Sequence, residues 1–240
     1  MSTTAPSRPV PTRPSRRGAW TALLVGLVVV IALAVAVPLL TGGDDPATQP
    51  GSGVAASETR RLPAFTAVDL AATSEMTVQV GEPQQVLVRA DDNLLDKVVT
   101  HVRDGVLVVS DGGSFTTRSP MSVIVTVPSL RSATLSGTGL LTVTGVAATT
   151  FTARLPGTGT LIVSGRSERV DASVSGEGAL TLGSLSARDA TVSVRGTGSV
   201  TVHVTGSLDA TVSGTGAIVY TGHPARVTKN VTGEGSITGS

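Results

Sequence analysis

A chain of 240 residues with 28 glycines, 2% aromatic residues and no cysteine has room for one or two domains, and neither disulfides nor thiolate metal sites can hold them together. The formal charge of +1 is unevenly spread: Arg8, Arg13, Arg16 and Arg17 precede Gly18 with no acid among them, so of 18 Lys or Arg fourteen remain to face 17 Asp or Glu, a net of −3. That balance excludes the concentrated basic surface on which nucleic-acid binding depends.

Residues 1–18 are rich in Pro, Ser and Arg, with too little apolar surface to fold alone, and read as a disordered cytoplasmic tail. The Pro11 and Pro14 spacing is part of that tail. Residues 19–40, "AWTALLVGLVVVIALAVAVPLL", are apolar without a charge. As a helix they would reach roughly 33 Å, enough for a hydrocarbon core of about 30 Å. The arginines lie before this run and Asp44 and Asp45 after it, so by the positive-inside rule it is a single-pass transmembrane helix of the cell membrane. The N-terminus stays cytoplasmic and everything past Thr41 is extracytoplasmic. A cleaved signal peptide is the competing reading, with Ala34, Val35 and Ala36 as its small-x-small site, but its apolar region normally runs only about 7 to 15 residues. No cysteine exists to accept a lipid. Residues 41–59, "TGGDDPATQPGSGVAASET", read as a flexible linker.

From residue 60 the chain is β-rich. In the lead-in, residues 60–130, "AFTAVDL", "MTVQV" and "QVLVRA" alternate apolar and polar, and Asp104-Gly105 between two apolar runs is a hairpin signal. "DDNLLDK" suits one helical turn, and "MSVIVTVPSL" is a strand ending at Pro128. The lead-in either begins the following array or caps it with antiparallel strands.

Residues 131–240 repeat. Gly-x-Gly corners begin at Gly137, Gly157, Gly176, Gly196, Gly214 and Gly233, in steps of 20, 19, 20, 18 and 19 residues. Six, four and two places before a corner stand inward candidates such as Phe151, Ala153 and Leu155 or Val170, Ala172 and Val174, with polar residues between. Four and six places after it stand Leu141 and Val143, Leu161 and Val163, Leu180 and Leu182. Strict alternation marks strands with one buried face, and strands recurring at one phase in one direction must stack in parallel. The expected fold is therefore all-β: a single-stranded parallel β-solenoid of about six coils of 19–20 residues, preceded by the lead-in and the membrane helix. The corner glycines are structural, supplying positive φ or close backbone approach. Lys229 replaces the recurrent alanine in the last coil, and with Glu234 reads as a polar cap.

The run "FTAVDL…VQVGEPQQVLVRADDNLLDKVVTHVRDGVLVVS", followed by "VIVTVPSLRSATLSGTG" and the repeated corners, resembles the bacterial family called putative auto-transporter adhesin head GIN domain, over residues 60–240. The resemblance implies a right-handed β-helix at the cell envelope, and brings no catalytic residue set.

The residues themselves offer little chemistry. Asp171, Asp189 and Asp209 point outward, with Glu177 and Glu234 at corners. Asp171 and Asp209 are equivalent positions two coils apart, about 10 Å, a spacing that would suit an inverting glycosidase pair. Calcium-binding β-rolls need an acid at every turn, whereas four of the six corners carry Thr, leaving Asp91, Asp92 and Asp96 as the one acidic group to consider. His101, His203 and His223 lack metal-ligand spacing. The corners lack the Lys-Ser/Thr of a phosphate loop, and Asn230-Val231-Thr232 is a formal glycosylation acceptor.

No catalytic, cofactor or metal residue is assigned. The expected function is a noncatalytic, membrane-anchored interaction module for cell-wall polysaccharide or a surface protein. A glycan-active enzyme and the sensory ectodomain of an envelope regulator are the alternatives. Full-length protein is expected in the membrane pellet after cell fractionation, and release of a shortened soluble form would overturn the anchor.

Overall fold

The computed structural model describes residues 48–240. The tail expected at 1–18, the membrane helix expected at 19–40 and the first part of the expected linker, 41–47, lie outside the described residues; among those described, no helix is long and apolar enough to cross a membrane. The described part is all-β apart from one 3-10 turn.

In chain order, β1 (Gln49–Pro50) and β2 (Ala55–Arg60) precede β3 (Ala67–Leu70), β4 (Glu75–Val80) and β5 (Gln85–Asp91). The 3-10 helix Asp92–Lys97 follows, then β6 (Val98–Arg103), β7 (Val106–Asp111), β8 (Phe115–Thr116) and β9 (Ser122–Val127). The repeat supplies β10 (Ser132–Leu135), β11 (Leu140–Leu155), β12 (Thr160–Val174), β13 (Ala179–Gly196) and β14 (Ser199–Gly214). The chain closes with β15 (Ala217–Thr221), β16 (Arg226–Thr232) and β17 (Ser236–Gly239).

Every strand pair within the repeat is parallel. The register is the one the period dictates: Ala133 on Ala153, Ala153 on Ala172, Ala172 on Val192, Val192 on Ala210 and Ala210 on Lys229. On the other side of the corner Leu141, Leu161, Leu180, Val200, Ile218 and Ile237 form a second column. Inward residues alternate with outward ones along each strand, so both columns are buried except for Lys229 in the last coil. Each fully buried Leu or Val contributes about 1.5–3 kcal/mol relative to exposure, and the stacked columns extend that gain from coil to coil.

Three features differ from expectation. Six corners bound five complete circuits, so the repeat makes about five turns rather than six. The first four circuits each run as one long bent strand from corner to corner, with register shifts such as that between Val143 and Val146 at the bend, whereas the last is split into β15 and β16. The segment 48–59, expected as linker, is tied down: β1 pairs with β8 and β2 runs antiparallel to β5. Its Ala, Ser, Thr and Glu composition resembles a linker because backbone pairing, not side-chain burial, holds it.

The lead-in both extends and caps the solenoid. β3 and β4 form one coil and β7 and β9 another, all parallel to the repeat. The stacking is out of chain order, because the β3/β4 coil lies between the β7/β9 coil and β10/β11. β5 then runs antiparallel on β9 and β6 antiparallel on β7, closing that end. Asp104 and Gly105, both with positive φ, make the β6–β7 hairpin turn.

Both reasons for the corner glycines are present, divided among the six. Gly137, Gly157 and Gly176 keep ordinary φ but sit so close to the coil beneath that a Cβ on Gly157 would strike the Gly137 carbonyl oxygen. Gly196, Gly214 and Gly233 have positive φ, 121° at Gly214. Gly157→Ala is expected to destabilise the fold by about 1–3 kcal/mol through backbone displacement. At Gly183 a Cβ would meet nothing nearer than the Thr201 methyl at 3.6 Å, so Gly183→Ala should be neutral or gain up to about 1 kcal/mol. Urea midpoints for the two variants test the contrast; equal midpoints would contradict the corner geometry.

Candidate functional site

Alternation that sends Val170, Ala190 and Leu208 inward sends their neighbours out in two columns. One reads Thr150, Arg169, Asp189, Ser207, Arg226 and the other Thr152, Asp171, Thr191, Asp209, Thr228, each on successive rungs. Between them lies an open furrow of about 400 Å³. The repeat period alone aligns these side chains, since equivalent positions 18–20 residues apart fall one above another.

The centre of the furrow is fixed by Asp189. Its carboxylate accepts from the Ser207 hydroxyl at 2.6 Å and the Ser207 N–H at 3.1 Å, both on the next rung, and from Arg188 Nε at 3.0 Å. The Ser207 hydroxyl, then Arg188, hold this carboxyl below the ordinary value of 3.8. Asp171, Asp209, Arg169 and Arg226 enter no ion pair among the described residues. The furrow thus offers two free carboxylates, two free guanidinium groups and the hydroxyls of Thr191 and Thr228.

Beyond Arg188 a second hollow of about 520 Å³ is lined by Arg166, Ser167, Glu168, Ser186 and Thr205, among others. Neither hollow contains an aromatic side chain. The exposed large apolar residues Val54, Val99 and Val231 lie elsewhere.

The remaining sequence candidates disperse. Asp91 is fully buried rather than a calcium ligand. It accepts from the backbone N–H of Gly53 at 2.8 Å, of Arg118 at 2.9 Å and of Ser119 at 3.3 Å, and from the Ser119 hydroxyl at 2.9 Å. Asp92 accepts from the Ser52 hydroxyl, and Asp96 is exposed. His101 and His223 are exposed, and His203 Nδ1 lies 2.9 Å from the Thr221 hydroxyl oxygen. Among the described residues no three His, Asp or Glu side chains gather where they could hold a metal. Glu177 and Glu234 line neither hollow. Lys229 reaches across the last coil to donate to the Ile237 carbonyl at 3.2 Å, with its ammonium 4.9 Å from the Tyr220 ring centre.

Two roles escaped the sequence reading. The Asp189–Ser207 bond was readable in principle, since the pair is one coil apart; Asp91 gave no signal, its partners being backbone N–H groups of distant loops.

The fold has counterparts among known proteins. The family described as putative auto-transporter adhesin, head GIN domain, matches residues 64–224. A putative adhesin from Bacteroides fragilis NCTC 9343 superposes with a TM-score of 0.67 at 19% identity, covering 80% of this chain and 99% of that one. A putative adhesin from Parabacteroides merdae gives 0.56 at 19% identity, with 80% and 98% covered. A putative lipid binding protein from Parabacteroides distasonis gives 0.51 at 20% identity, with 80% and 99% covered. No curated protein matches the chain.

Asp91 makes stability pH-dependent. Hydrogen bonds from the Arg118 N–H first, and from Ser119 and Gly53, outweigh burial and lower its carboxyl below 3.8. Its contribution is therefore complete above the ordinary carboxylate value and is lost as pH falls through the lower folded value. Asp91→Asn should be less stable than the parent at pH 7, with the gap closing below about pH 4. Thermal melts at both pH values read this, and a gap that stays constant would contradict the role.

Proposed function

The chain belongs to the putative auto-transporter adhesin, head GIN domain family, and from that premise we propose that it is a noncatalytic binding module held at the cell envelope. The apolar run at 19–40 supports a single-pass anchor with residues 48–240 on the extracytoplasmic side. The ligand we assign is a hydroxyl-rich polysaccharide of the envelope, lying along the furrow across successive rungs.

One observation carries this reading: Asp171, Asp209, Arg169 and Arg226 line a single furrow without ion pairs of their own. Carboxylates accept from sugar hydroxyls and guanidinium groups donate to sugar oxygens, and charge-assisted bonds are the stronger kind. A protein partner is less well matched. Protein interfaces rely on a central apolar or aromatic anchor, and this wall presents none. Lacking aromatic platforms, each rung binds weakly, and affinity accumulates over several sugar units held at once.

A second reading has its own observation. Asp171 and Asp209 lie two rungs apart, about 10 Å, with Arg169 beside them, close to the roughly 6.5–9.5 Å of inverting glycoside hydrolases. Such enzymes need a carboxyl raised to act as general acid. Asp189, at the furrow's centre, is shifted downward instead, by the Ser207 hydroxyl and Arg188.

Purified protein is expected to cosediment with insoluble envelope polysaccharide and leave it intact. Asp171→Asn with Asp209→Asn should weaken binding at least about tenfold, or about 1.4 kcal/mol. Unchanged binding in the double variant removes the furrow from the reading, and release of soluble sugar that the double variant abolishes replaces it with the enzyme.

A further inference from the structure

We propose that the solenoid is mechanically polar: under tension its coils peel away one at a time from the C-terminal end, while the N-terminal end is locked by a coil clamped in the interior of the stack. The inference rests on strand order. Within the repeat, coils adjacent in sequence are adjacent in space. The exception is the first coil of the chain, β3 with β4. β3 bonds to β10 on one edge and β7 on the other, and β4 bonds to β11 and β9, all in parallel. Its inward residues Leu70, Met76 and Val78 are fully buried, as are Leu107 and Val109 above and Ala133 and Leu141 below.

The two ends therefore meet load differently. At the C-terminal end β16 and β17 each hold a single ladder, to β14 and β15. Ladder bonds lie roughly along the stack, so tension lifts the edge coil bond by bond, and each coil removed leaves the next as an equally exposed edge. At the N-terminal end tension first loads β1, paired only with β8, then β2, an edge strand paired only with β5, and then reaches Ala67. There the coil cannot be lifted, because β10 and β11 hold it on one side and the β7/β9 coil, itself closed off by the antiparallel strands β5 and β6, on the other. It has to be drawn out along its length, shearing two ladders together. For a module anchored at its N-terminus and gripping a surface along its flank, the locked end is the one that bears the load.

Single-molecule stretching of the full chain, held at both termini in solution, tests this without membrane or ligand. After a short release of β1 and β2, the expected record is a series of low-force events of 18–20 residues, each roughly 60 Å, with the 67–127 block yielding last. By then β10 and β11 have left, so β3 and β4 hold one ladder each, to β7 and β9. The block should yield at a force similar to the earlier events, its last place in the order marking the lock. A spacer inserted in the turn at residues 222–225 should lengthen an early event, which assigns the order. Met76→Ala should lower the final force and leave the early increments unchanged; where that variant fails to fold, the parent record decides alone. Rupture of the whole domain in one event, or release of residues 67–80 before the C-terminal coils, overturns the proposal.

Discussion

Parallel, in-register pairing of each coil with the next is the constraint from which the rest of this molecule follows. A parallel ladder satisfies the backbone only if every rung has a rung above and below it, and it places equivalent side chains directly over one another. Side chains on the inner face must therefore tolerate near-copies of themselves at the rung spacing, about 4.8 Å. Small and aliphatic residues do so, hence a column of Ala with Val and another of Leu, Val and Ile, with Phe151 the one aromatic residue buried within the repeat. The corners obey the same limit, since Gly157 lies on the Gly137 carbonyl because the backbone itself is stacked there.

What the interior enforces, the exterior inherits without choosing it. Outward residues are aligned into columns as strictly as inward ones, so a change at one position on one coil sits opposite its counterparts on neighbouring coils. That is how Asp189 finds Ser207, and how Arg169, Asp171, Asp209 and Arg226 come to share a furrow although 57 residues separate the first from the last. A repeating wall is suited to a repeating ligand, because the spacing of the binding groups is already set by the backbone. Here the spacing is regular in both columns, but the residues are regular in only one: Thr and Asp alternate from Thr152 to Thr228, while the other column reads Thr150, Arg169, Asp189, Ser207 and Arg226. The irregular column makes the furrow a local feature of three or four coils rather than a property of the whole wall.

The repeat was legible because its signals are local and redundant. Six Gly-x-Gly corners and the alternation between them set direction, phase and register, down to Lys229 standing in the alanine column. The Asp104-Gly105 hairpin and the helical turn at 92–97 were equally local. The first coil was hidden because its corner is Ala72, Thr73 and Ser74, and the corner stacked on it, at Gly137, comes 65 residues later with another coil in between. Without glycines, that corner is held instead by Asp111, which accepts from the Thr73 N–H at 3.1 Å and its hydroxyl at 3.2 Å. The β2 strand and the Asp91 bonds were hidden for a related reason: both work through backbone groups, which leave no mark in composition. The furrow was visible only as scattered acids, since its arginines gain meaning once the columns are aligned.

The two ends of the stack solve one problem by opposite means. A parallel solenoid ends in unpaired strands, which template further pairing with any other chain. At the N-terminal end the chain reverses direction, and β5, β6 and β2 turn the last rungs into an antiparallel sheet whose outer strand carries Glu58 and Arg60, joined as an ion pair. At the C-terminal end there is no reversal. The core column that runs through five smaller apolar residues from Ala133 to Ala210 terminates in a lysine, whose stem covers the column beneath while its ammonium takes up the Ile237 carbonyl and faces Tyr220. A charge in that position prevents another coil from docking in register, because the next inward residue would have to bury it. The end is thus closed to growth and still held by a single ladder, which is the combination that lets coils be shed under load without recruiting a second molecule.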